Sequence, residues 1–311
     1  MTVRIGALLW PQTKSWAAIR DAAVRADGVG FDSIWTWDHL NAIVGPWEQP
    51  ILEGWTTLAG LAPITTTATL GLMVGANTFR NPGLTAKLAT TLDHVSEGRA
   101  ILGIGGAWFE REHAAFGFAT WGSGFGERLD RLDEAVMLLR RLLDGERIAD
   151  HQGRFYTMHD ALCEPRPVQD HLPILIGGSG PRKTLRTTAR YADAWNSSGS
   201  PLEKVVESLD ILRGHCETEG RDFDAIELTV SFPVSIRDTV EAARAAALER
   251  FRANGVENTG PGPHLAGPPE VIAEAIAPYR DLGFETVVFR LPAPFDHETI
   301  ERMPEVAAAL G

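Results

Sequence analysis

One short run places an acid beside a base: Trp35-Thr36-Trp37-Asp38-His39-Leu40. A histidine can donate, accept or carry a proton near neutral pH. Asp38 could orient that imidazole or hold it charged. Both residues leave an apolar, strand-like run behind two tryptophans, a setting that suits a reacting group better than a random surface pair. The competing reading is a capped loop with a satisfied histidine.

Three glycine-rich runs supply a second kind of chemistry. The first is Gly71-Leu72-Met73-Val74-Gly75-Ala76-Asn77, followed by Thr78-Phe79-Arg80-Asn81-Pro82. The second is Gly103-Ile104-Gly105-Gly106-Ala107-Trp108, with Glu110 and Glu112 beyond it. The third is Ile176-Gly177-Gly178-Ser179-Gly180-Pro181, then Arg182 and Lys183. Glycine lets backbone approach a planar ligand closely. A glycine turn that runs into a helix presents free N–H groups to an anion. Arg182 and Lys183, expected in the first helical turn, would oppose the helix dipole unless an anion sits nearby. Residues 177–183 are therefore the expected phosphate site, against the alternative of a tight turn with solvated bases.

Other chemistries fail on spacing. The chain has no HExxH and no histidine pair at ligand spacing, so no metal site is expected. Gly178-Ser179-Gly180 is not a GxSxG elbow, and no GxxxxGK[ST] loop occurs. Gly103 to Trp108 is not the dinucleotide fingerprint, because Trp108 holds the third glycine position. Glu110 and Glu112 lack a setting that would argue for glycoside hydrolysis.

The elements that must position these residues alternate along the chain. Short apolar runs fall at 4–9, 32–37, 69–76, 100–105, 173–177, 193–196, 227–234 and 286–291. They lack strict polar alternation, as strands buried on both faces do. Between them lie three-four repeats such as Trp16, Ile19, Ala23 and Ala26, or Leu129, Leu132, Val136, Leu139 and Leu143. These stripes read as core. Strands alternating with helices over this length point to an α/β chain folded as a (β/α)8 TIM-type barrel, in which the site lies at the C-terminal strand ends. Residues 117–172 hold more chain than one connection needs, including a glycine loop, a long helix and a hairpin-like Gly153-Arg154-Phe155-Tyr156. They read as a lid-like insertion after the fourth strand. The whole, residues 1–311, reads as a single barrel domain.

Composition narrows the function classes. A net charge of −12 repels phosphate backbones and anionic membrane, so neither nucleic acid nor membrane is an expected partner. A small anionic ligand stays open, because local N–H groups and a few bases can overrule net charge. Two distant cysteines, Cys163 and Cys216, suit reduced thiols in a cytoplasmic protein. The N-terminal apolar run is too short for a signal peptide.

Taken in order, the motifs resemble the luciferase-like monooxygenase superfamily, and within it the F420-dependent oxidoreductases of actinobacterial type. The pieces are Gly30-Phe31-Asp32-Ser33-Ile34-Trp35 leading to Asp38-His39, then Glu53-Gly54-Trp55-Thr56-Thr57-Leu58-Ala59. After them come Leu70-Gly71 to Val74, and Phe79-Arg80-Asn81-Pro82. They continue with Leu92-Asp93-His94-Val95-Ser96-Glu97-Gly98-Arg99, and Gly103 to Trp108 with Glu112. Pro173 to Gly178 and Ala192-Asp193-Ala194-Trp195-Asn196 complete the set. The resemblance implies coenzyme F420, with FMN as the alternative, lying across the barrel mouth. It implies a cis peptide at Met73–Val74 that bends the ring, and His39 beside Asp38 moving a proton to or from the substrate. Asn77, Gly105, Gly106, Ala107, Gly177, Gly178 and Ser179 would line the ring or its phosphate-bearing tail. Trp37, Trp47, Trp108 and Glu112 are candidates for the substrate or lid side, although the loop 41–50 that carries Trp47 has no pattern the family assigns to a substrate. One departure stands out. The common Gly-Ala-Gly-Trp of the fourth-strand loop is here Gly105-Gly106-Ala107-Trp108.

The expected reaction is hydride transfer between the deazaflavin and a small organic substrate. An FMN-dependent monooxygenase using oxygen is the first rival, and a non-catalytic flavin-binding barrel the second. The resemblance also implies a homodimer.

Overall fold

Buried strands and amphipathic helices alternate through the computed structural model, which describes residues 3–13, 15–258 and 264–310. Each expected apolar run holds a strand. They are β1 (Arg4–Leu9), β2 (Ser33–Thr36), β3 (Thr69–Leu72), β4 (Ala100–Gly105), β5 (Ile174–Gly177), β6 (Ala194–Ser197), β7 (Glu227–Ile236) and β8 (Thr286–Leu291). The described residues gather into two compact units. Among those residues the first falls within 3–69, 196–207 and 227–310, and the second within 70–195 and 208–226.

In the first unit β8 and β2 flank β1, and β7 pairs β8, all parallel. Leu8 stands opposite Arg290, and Pro233 opposite the same arginine. Gly6 has no room for a side chain, since a Cβ there would meet Ser33 Oγ at 2.5 Å. That hydroxyl accepts from Trp35 Nε1 at 2.8 Å. Helix α1 (Trp16–Gly28) starts where the Ser15 side chain accepts from the Ala18 N–H, and it buries Ile19, Ala22, Ala23 and Ala26. Helix α2 (Gly54–Leu61) starts where Glu53 accepts from the N–H groups of Trp55 and Thr56. Each cap satisfies donors that a helix start leaves unpaired.

In the second unit β4 lies between β3 and β5, again parallel. The run expected as one strand over 69–76 is interrupted. β3 ends at Leu72, the Met73–Val74 peptide is cis, and Gly75–Ala76 then pairs with the end of β4. Helix α3 (Pro82–Val95) begins at Asn81, which caps Gly83 N–H. Its Asp93 is fully buried and accepts from the N–H groups of Val168 and Gln169 and from the Gln169 side chain.

The segment 117–172 contains a long helix α5 (Phe125–Leu143), after a short α4 (Glu110–Phe116), and a hairpin of Ile148–Gln152 with Thr157–Ala161. Leu129, Leu132, Val136, Leu139 and Leu143 of α5 are buried, the stripe that the sequence spacing gives. Glu134 docks the hairpin tip onto α5, accepting from the N–H groups of Phe155 and Tyr156 at 3.1 and 3.0 Å. No described helix is long and apolar enough to cross a membrane. Cys163 and Cys216 are free and buried.

One acid near the end of α1 organises the approach to β3. Asp27 accepts from the backbone N–H groups of Thr66, Thr67 and Ala68 and from both threonine hydroxyls. Burial pushes its carboxyl up, but these hydrogen bonds outweigh it and hold the group down at about 2. A depressed carboxyl stabilises the fold above its unfolded value near 3.8, and the contribution is lost as pH falls through about 2. Allowing for partial exposure, Asp27→Asn should cost about 1–2 kcal/mol at pH 7. In urea unfolding, the gap between variant and parent should close between pH 4 and pH 2; a gap independent of pH would contradict this.

Candidate active site

In the first unit the chain leaves β2 through three residues of graded exposure. Trp37 and Asp38 are buried, at 8 % and 2 %, whereas His39 is half-buried. A single row of ring contacts leads away from it. The His39 ring meets Trp37 edge-on at 6.2 Å, and Trp37 lies 4.4 Å from Trp10. Trp10 and His264 each lie 6.0 Å from Phe251. The loop after His39 is held by two glutamines. Gln12 accepts from Ile43 and Val44 N–H and donates to Val44 C=O, while Gln49 donates to Asn254 C=O at 2.9 Å. Trp47, on that loop, is 42 % exposed.

The far end of this row is cationic. Arg250 is neutralised by Asp296 at 2.9 Å and donates to Ser235 Oγ. Arg290 has no carboxylate partner among the described residues. Burial alone pulls its guanidinium down to about 10, still charged at neutral pH. It donates through Nη2 to Ser231 C=O at 3.2 Å, and its Nε has no partner. Burial, then Arg250 and Arg290, lower His264 to about 4, so this imidazole is neutral in ordinary buffers. Its Nδ1, Trp10 Nε1 and Ser197 Oγ are also buried without partners. A half-buried cation among buried, unsatisfied polar atoms is costly unless an anion completes it. None of these four residues was singled out from the sequence. Arg290 was visible there as a lone charge inside an apolar strand.

In the second unit, backbone rather than side chains forms the surface. Val74 fills the space that side chains on Gly105 and Gly177 would need, since a Cβ at either would lie 2.8 or 2.9 Å from its methyls. Met73 is buried. Buried Asn77 donates to Tyr156 Oη at 3.2 Å. Gly178 has φ +109° and its carbonyl accepts from Trp195 Nε1, while Ser179 is exposed. The missing side chains at Gly105, Gly177 and Gly106 make room for Val74 and Leu129, whereas the exposed backbone of Gly178 and Ser179 is open to a flat cofactor with an anionic tail. Glu112 is buried, and Trp108 is 60 % exposed against Phe109.

The expected basic pair at 182–183 requires correction. Helix α6 (Thr184–Tyr191) starts beyond both residues, which lie in the preceding turn. Lys183 is committed to α5, with Nζ 2.5 Å from Asp130 and donating to Gly126 C=O. It braces the loop rather than offering a free cation; Arg182 is exposed.

The transposed glycine now has a structural meaning. A Cβ at Gly106 would lie 2.8 Å from Leu129 Cδ2, so α5 packs where the family pattern carries alanine. Ala107 in turn adopts φ +59°, the left-handed region where that pattern carries glycine. Relief of the left-handed cost should exceed the added chain entropy, so Ala107→Gly should stabilise by up to about 1 kcal/mol. Gly106→Ala should destabilise by about 1–3 kcal/mol through displacement of Leu129. Urea melts giving the opposite order would contradict this loop geometry.

Comparison with known proteins places the chain. The luciferase-like monooxygenase family matches residues 2–264. An F420-dependent glucose-6-phosphate dehydrogenase of Microbacterium testaceum is 31 % identical, covering 91 % of this chain and 89 % of that protein. A phthiodiolone/phenolphthiodiolone dimycocerosates ketoreductase of Mycobacterium bovis is 33 % identical, covering 76 % and 66 % respectively. Among solved structures, an F420-dependent secondary alcohol dehydrogenase in complex with an F420-acetone adduct superposes with a TM-score of 0.86, at 20 % identity, covering 100 % of both chains. The shared fold is the (β/α)8 barrel. By the length and continuity of the match, this chain belongs to the luciferase-like monooxygenase family.

Proposed function

We propose that the protein is an F420-dependent oxidoreductase that interconverts a hydroxyl and a carbonyl group on a small substrate carrying an anionic group. His39 donates or accepts the accompanying proton. Coenzyme F420 supplies hydride chemistry when bound. Gly105, Gly106, Ala107, Gly177, Gly178 and Ser179 contribute the backbone that holds it, with Met73, Val74 and Asn77 beside them. Three similar proteins bear names of hydroxyl–carbonyl chemistry, and two of the three names specify F420.

One observation carries the substrate side: the row of rings from His39 through Trp37, Trp10 and Phe251 to His264, with unpaired Arg290 beyond. The aromatic stretch offers apolar contact for a carbon skeleton. The partly exposed imidazole can exchange its proton with solvent. Arg290 and the partnerless atoms of His264, Trp10 and Ser197 would fix an anionic substituent. Because His264 is neutral above about 4, it serves as a hydrogen-bonding group rather than a second cation.

Titration of the protein with F420 and with FMN, each followed by fluorescence, tests the cofactor. Saturable binding of F420 and turnover that continues without oxygen are expected; FMN binding with oxygen-dependent turnover would establish the monooxygenase instead. His39→Ala should lower kcat by about 10²–10⁴-fold while F420 affinity stays within a few-fold. Full turnover in that variant would remove His39 from the proton path.

A further inference from the structure

Two arginines are buried among the described residues, Arg128 at 6 % exposure and Arg250 at 8 %. Arg250 has its carboxylate in Asp296. Arg128, in the first turn of α5, has none. Its guanidinium lies 3.5 Å from the centroid of Trp121 and 5.3 Å from that of Phe125. Nη1 reaches the Trp121 carbonyl at 3.4 Å, and the buried Nε has no partner. Cation–π contact offsets part of the cost of burying this charge, but an unpaired donor and an uncompensated cation remain.

The surroundings point to what would complete it. Leu129, the next residue, packs against Gly106 and lies 3.7 Å from where a Cβ on Gly180 would stand. Trp121 lies 4.6 Å from the His113 ring, whose Nε2 is 2.6 Å from Thr78 Oγ1. Thr120 donates to the Thr78 carbonyl. The residues around Arg128 thus carry these contacts: Leu129 reaches the glycine loops of β4 and β5, and Trp121, through His113, reaches Thr78 after β3, while the guanidinium itself touches Trp121 and Phe125. Burial lowers the His113 imidazole, against the opposing pull of its bond to Phe109 and of Glu112, which disfavours a second positive charge there. Glu110, the acid that most stabilises the Arg128 charge, makes no ion pair with it.

We infer that Arg128 is a cofactor-binding residue that receives an anionic group of the F420 side chain, either its phosphodiester or a glutamyl carboxylate. This rests on the deazaflavin reading above. The rival explanation is a purely structural brace between α5 and the 119–121 turn.

The test is fluorescence titration of the intact protein and of Arg128→Gln and Arg128→Lys with three ligands. They are the deazaflavin lacking any phosphate, F420 with the phosphate but no glutamate, and F420 with several glutamates. Removing a charge-assisted hydrogen bond should weaken the tailed ligands by about tenfold to a hundredfold in Arg128→Gln. Affinity for the tail-less deazaflavin should stay within about twofold, Arg128→Lys should recover part of the loss, and the salt dependence of F420 binding should become shallower. A loss already present with the phosphate-only form assigns the phosphodiester; a loss confined to the longer ligand assigns a carboxylate. Equal effects on tailed and tail-less ligands, or no effect on either, would overturn the inference in favour of the brace. If the parent protein binds none of the three, the deazaflavin reading falls and takes the inference with it. Thermal melts of each variant show whether lost binding reflects lost fold.

Discussion

A guanidinium drawn out of water without a counter-charge is the constraint on which the site depends, half-buried at Arg290 and buried at Arg128. Desolvation of an ion costs several kcal/mol, and folded proteins recover it through a partner of opposite sign or by giving up the charge. Arg290 does neither, because its lowered value near 10 still leaves it ionised at neutral pH. Nearby Arg250 shows the alternative, with Asp296 and Ser235 closing its contacts. Arg128 repeats the pattern in the second unit, on an aromatic bed rather than against a strand. Stability alone gives no reason for such groups, and a ligand that arrives with the missing charge is the reason proposed for both.

The rest of the structure keeps rigid backbone under these groups. In the second unit, α5 reaches the glycine loop of β4 through Leu129, the turn after β5 through Lys183, and the hairpin through Glu134. In the first unit, Gln12 and Gln49 fix the loop after His39 against Asn254. Gly45 on that loop comes so close to the Asn254 carbonyl that a Cβ would lie 1.9 Å from it. Side chains held on packed strands and helices keep their geometry better than those on free loops.

Much of the architecture was legible because it is local. A buried parallel strand announces itself as a short apolar run, and the Leu129–Leu143 stripe repeats at helical spacing. The acid and base after β2 were equally plain. What escaped was set by distant partners. Lys183 read as a free base because Asp130, which holds it, lies far away in sequence. Arg128 sits in Glu127-Arg128-Leu129-Asp130-Arg131, a string that looks like a solvated helix face, and only the fold of 117–125 shows that Trp121 and Phe125 cover it. The interruption between Leu72 and Gly75 left no trace in hydrophobic pattern, although family resemblance placed it at Met73–Val74.

The claim that Arg290 waits for a substrate anion is tested most directly by kcat/KM for one alcohol offered in two forms, with a phosphate or carboxylate substituent and with a neutral isostere. The account predicts that the parent protein prefers the anionic form and that Arg290→Met loses about tenfold to a hundredfold of that preference, with activity on the neutral form kept. Equal preference in parent and variant would contradict it.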